Sequence, residues 1–170
     1  REYLLIKALF LTENSNPNNI PAFLHSITVH TVDVYADQLL GEVWPRRIEA
    51  IGRPEIRSFF IRPSFSSVNQ GFDEILIEAT AATSMELLEV RLGSEKDFFK
   101  GQAEQLLPAQ IAVMDTGPDS LWLRLPALIG QGVELLEVRF RPTTFANSAQ
   151  FNASVKAAAM PGSWQDVDVG

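Results

Sequence analysis

Leu88-Glu89-Val90-Arg91-Leu92 alternates apolar and charged residues at every step. Successive side chains of a strand point to opposite faces, whereas a helix groups residues three and four apart. The stretch therefore predicts a half-buried strand with Leu88, Val90 and Leu92 inward and Glu89 and Arg91 in water. The same period recurs on either side of it. Ile27, Val29 and Thr31 oppose Thr28 and His30; Ile75, Ile77 and Ala79 oppose Glu74 and Glu78; Leu121, Leu123 and Leu125 oppose Trp122 and Arg124. Leu136, Val138 and Phe140 alternate with Glu137, Arg139 and Arg141, and Phe151, Ala153 and Val155 with Asn152 and Ser154. Such runs suit antiparallel sheets with one wet face. On that reading Glu137→Lys, on the wet side, changes stability by less than ~1 kcal/mol.

Residues 3–11 and 56–61 are apolar on both parities and are expected centrally, with both faces covered. Residues 14–21, 63–71 and 116–119 carry the Pro, Asn, Ser, Gly and Asp of turns. The expected fold class is all-β, an antiparallel β-sandwich of Ig-like, cohesin-like or jelly-roll type. One short helix near 94–107 is the exception: Ser94-x-x-Asp97 is a helix-start signal, and Phe98, Phe99, Ala103, Leu106 and Leu107 recur at helical spacing, an ordered loop being the alternative. Glu-Leu-Leu-Glu-Val-Arg occurs twice, at 86–91 and 134–139, but unlike flanks and the lack of a third copy argue against a repeat. Gly41 and Trp44-Pro45 mark a domain boundary. Residues 1–44 are expected to be the terminal strands of a preceding β-sandwich or an N-terminal extension, and residues 45–170 a β-sandwich module. The chain starts at Arg1 and still alternates at Val167-Asp168-Val169, as expected of a fragment.

Composition narrows the chemistry. The 170 residues are 46% hydrophobic and 21% charged, carry a net charge of −7, and include two His and no Cys. That balance repels nucleic acid phosphates and anionic membrane surfaces. No run approaches the ~20 apolar residues of a membrane-crossing helix, so neither nucleic acid nor membrane insertion is expected. Thiolate metal sites and Cys nucleophiles are excluded. His25 and His30, five apart on a strand, face opposite ways and cannot share a metal ion. Glu74 and Glu78 share a face but stand roughly 13 Å apart on an extended strand, beyond the reach of paired-carboxylate glycoside hydrolysis. Asp115 and Asp119 flank a Gly-Pro turn and have oxygens for calcium, yet nothing completes an EF-hand loop; turn formation explains them, and no cofactor is expected. The arginines from Arg46 to Arg62, with Phe59 and Phe60 among them, are read as outward strand residues rather than a single-strand nucleic acid site. Trp122 stands beside Arg124 on the polar face, placed either to stack on a sugar or to be covered by a neighbouring module. Trp122 and Arg124 are the candidate ligand-binding residues. Asn152-Ala153-Ser154 is a formal glycosylation sequon.

The order of several segments resembles a region of large secreted or surface proteins of bacteria, upstream of flagellar-hook-capping-type Ig-like modules. The residues that carry it are Leu5-Ile6-Lys7-Ala8, Pro21-Ala22-Phe23-Leu24-His25-Ser26-Ile27, Gly41-Glu42-Val43-Trp44-Pro45, Phe60-Ile61-Arg62-Pro63-Ser64-Phe65, Gly71-Phe72-Asp73-Glu74-Ile75, Val138-Arg139-Phe140, Phe151-Asn152-Ala153 and Ser163-Trp164-Gln165-Asp166-Val167. In such proteins the first stretch looks like the closing strands of a discoidin-like jelly roll and the rest like a cohesin-like or Ig-like sandwich. The resemblance implies an extracellular or cell-surface, non-catalytic module, structural or adhesive, whose partners are other protein modules or copies of itself. A carbohydrate-binding module using Trp122 or Trp44 is the alternative, with glycans as partners.

Overall fold

The computed structural model describes residues 26, 34–47, 49, 51–115, 117–146, 148–160 and 162–170. Expectations for residues 3–11, 14–21 and 27–31, and for His25 and His30, lie outside them. Apart from Ser26, all belong to one unit, Val32–Gly170. In chain order its strands are β1 (Gln38–Trp44), β2 (Arg57–Ser64), β3 (Phe72–Ala79), β4 (Ala82–Gly93), β5 (Glu104–Leu106), β6 (Ala112–Asp115), β7 (Ser120–Ile129), β8 (Leu135–Thr144), β9 (Phe151–Lys156), β10 (Gln165–Asp166) and β11 (Asp168–Val169). One sheet is ordered β11-β1-β2-β8-β4-β5 and the other β10-β9-β3-β7-β6. Among the described residues, β1 and β11 pair in parallel and the other strand pairings are antiparallel. The unit is an all-β sandwich.

Alternation explains the core. Phe59, Ile61, Val138 and Phe140 of the first sheet and Ile75, Ile77, Leu121 and Leu123 of the second are fully buried. The Phe140 and Phe151 rings meet edge to face between the sheets at 5.8 Å. Each such side chain contributes roughly 1.5–3 kcal/mol on burial. β1, which sequence reading placed before a boundary at 44/45, pairs with β2 from Gln38↔Ser64 to Trp44↔Ser58.

Three details depart from simple parity. A bulge between Leu87 and Glu89 resets the pattern of β4, so that Leu87 packs on the core where Leu88 was expected to. In β2, Ile56 lies outside the strand and is exposed, and Phe60 is half-buried, so the run 56–61 is covered on its inner face only. Arg57, expected outward, shares the inner face with Phe59 and is buried. Its guanidinium is held at the end of the sandwich by the carbonyls of Pro45 and Arg47 and by the Glu55 carboxylate, over the Phe151 ring.

The segment 94–107 divides in two. Helix α1 (Glu95–Lys100) starts with a full capping box: the Ser94 hydroxyl accepts from the Asp97 N–H at 3.2 Å, and the Asp97 carboxylate accepts from the Ser94 N–H at 3.1 Å. Gly101, in the left-handed region, ends it, and β5 follows. At the far end of the chain, the segment from Ser163 to Gly170 crosses from the second sheet to the first. Gln165 Oε1 accepts from the Tyr35 and Ala36 N–H groups at 2.8 and 3.2 Å, and its Nε2 donates to the Ala36 carbonyl at 2.8 Å. Val167 is buried, close enough to Gly41 that a Cβ there would lie 2.7 Å from Val167 Cγ1.

Candidate functional site

Trp122 and Arg124 lie side by side on the outer face of the second sheet, as alternation within β7 requires. Cross-strand register sets Trp122 opposite Leu76 and Arg124 opposite Glu74. Arg124 donates twice to one oxygen of Glu74, from Nε at 3.0 Å and from Nη2. Glu74, read as a solvated residue, is only 2% exposed. The half-buried Trp122 is covered by its own chain: Trp164 meets it edge to face at 5.7 Å, and Lys156 Nζ lies 6.0 Å from the centroid of Trp164. Trp122 Nε1 is buried and has no hydrogen-bond partner among the described residues. In this corner Arg124, its side chain 41% exposed, turns two donors to Glu74, and the Trp122 ring lies against Trp164. Trp164, 42 positions further on, carried no signal that it would cover Trp122.

Asp115 ends β6 and Asp119 precedes β7, both exposed. The Asp119 carbonyl accepts from the Ala79 N–H at 2.7 Å. Among the described residues no group of three His, Cys, Asp or Glu is arranged to hold a metal ion.

The outer face of the first sheet is built differently. Its centre is a charged ladder made by the duplicated hexapeptide, one copy lying in β4 and the other, from Leu135 on, in β8. Val90 pairs with Val138, which sets Glu89 opposite Arg139 and Arg91 opposite Glu137. Arg91 donates to Glu137 at 3.0 Å, Ser58 donates to its other oxygen at 2.6 Å, and Arg139 and Gln105 both donate to Glu89. Glu137 is consequently 5% exposed although it faces outward. Sequence reading treated the hexapeptides as a failed repeat and missed that Glu-Val-Arg is complementary to itself in an antiparallel pair.

Beside the ladder runs a groove of two adjoining cavities, about 420 and 340 Å³, which share Phe60, Arg62 and Leu135. Leu40 closes one end; Phe98 and Phe99 of α1 wall the other. Arg91 lies over the Phe98 ring at 5.1 Å, which ties α1 to the ladder. Large apolar side chains of the groove stand in solvent, Leu40 40% exposed and Phe99 91%, and Trp44, further along β1, is 63% exposed. The rim charges are paired, Arg62 with Glu95 at 2.6 Å and Arg46 with Glu42 at 3.1 Å. A third cavity, about 610 Å³, lies where β1, β9 and residues 166–170 meet, with the already satisfied Arg57 in its wall.

No family model matches the chain, and no curated protein matches its sequence. Among solved structures it is similar to a DUF4466 family protein from Parabacteroides merdae ATCC 43184, at 10% identity and a TM-score of 0.49. That similarity covers 78% of this chain and 44% of the other, so the chain spans less than half of that protein's length. Among the described residues, no helix is long and apolar enough to cross a membrane.

Proposed function

We propose that the chain is a non-catalytic structural or adhesive module of a larger extracellular bacterial assembly, of Ig-like or cohesin-like sandwich type, binding other protein modules. One observation carries this reading: Leu40 and Trp44 of β1 and Phe99 of α1 are exposed beside a sheet face whose centre is fixed by cross-strand ion pairs. Large exposed apolar patches mark interaction surfaces, and a rigid support lowers the ordering cost of binding. Crosslinking mass spectrometry of the intact parent protein on the cell surface tests it. Lys100, exposed at the end of α1, should crosslink to residues outside this module or to another copy. Lys100 crosslinks confined to the module, together with a positive glycan array, would contradict it.

A second reading, a carbohydrate-binding module, is supported by Trp44 rather than Trp122, since Trp44 keeps its ring in solvent. Glycan-array binding lost in Trp44→Ala but kept in Trp122→Phe would support it; an array negative for the wild type would remove it.

A further inference from the structure

We draw no further inference here: the strongest candidate, the apolar groove between β1 and α1 on the first sheet, has its rim charges Arg62 and Glu95 already paired within the chain, and nothing in the structure shows what covers it.

Discussion

At Trp122 the ring and its N–H act against each other. The ring packs under Trp164, while the buried Nε1 has lost water and gained no partner among the described residues, a state that costs about 1–3 kcal/mol. Trp122→Phe keeps most of the apolar surface and removes the orphaned donor. Urea unfolding should find it within about 1 kcal/mol of wild type, where a well-partnered buried tryptophan would lose more. Glu137→Lys should behave in the opposite way. Parity alone marks the residue as tolerant, but its carboxylate is buried and takes Arg91 and Ser58. Reversing it sets a cation against Arg91 with Arg139 nearby, and a loss of about 3 kcal/mol is expected. A change below 1 kcal/mol in the same titration would show the ladder to be ornamental. Facing was thus legible in the sequence at both positions, whereas burial was not. A one-dimensional pattern tells which side of a sheet a residue is on; Trp164 over Trp122 and Ser58 beside Glu137 are long-range events that decide how wet that side is.

The elements were legible where a single local rule governs them. In β7 the alternation of 121–125 maps directly onto the core, and in β9 it places Phe151, Ala153 and Val155 inward although Ser154 on the other face is also buried. β4 carries the same alternation, but a bulge at 87–89 breaks its parity, so the stretch that most plainly announces a strand also misplaces Leu88. Helix α1 was signalled by Ser94 and Asp97, and its stability should follow their chemistry. The Ser94 hydroxyl, and then the Ser94 backbone N–H, hold the Asp97 carboxyl below the usual carboxylate range, with Lys100 and Lys96 adding smaller attractions. A depressed folded pKa means that the charged form supports the helix. That support is complete above the unfolded value near ~3.9 and is lost as pH falls through the lower folded one. In an acid titration followed by NMR, the amides of 95–100 should therefore lose dispersion below pH ~4 before those of β3 or β8. Ser94→Ala should move this transition to higher pH. Simultaneous loss across all elements would show that the cap does not govern the helix.

Across the whole unit, the segment from Ser163 to Gly170 joins what the sequence left separate. It adds β10 to one sheet and β11 to the other, buries Val167 between them, and holds Tyr35 and Ala36 through Gln165. Gln165→Ala orphans three backbone groups, so a loss of about 2–4 kcal/mol is expected. The urea slope should be unchanged, because the surface exposed on unfolding is nearly the same; a changed slope would mean that this segment detaches on its own. Alternation at Val167-Asp168-Val169 was legible, but it does not tell that two-residue pairings divide the segment between the two sheets. The groove was missed for a related reason: Leu40, Phe60, Leu135 and Phe99 come from four elements, and only the topology brings them to one face.

Hydrogen–deuterium exchange of this chain alone and within its intact parent protein tests the proposed interaction face most directly. Exchange should be slower within the parent in peptides covering 38–44 and 95–100, while 112–115 on the β6 edge stays unchanged. Protection confined to 112–115, or none anywhere, would contradict the proposal that this module associates through the face that carries β1 and α1.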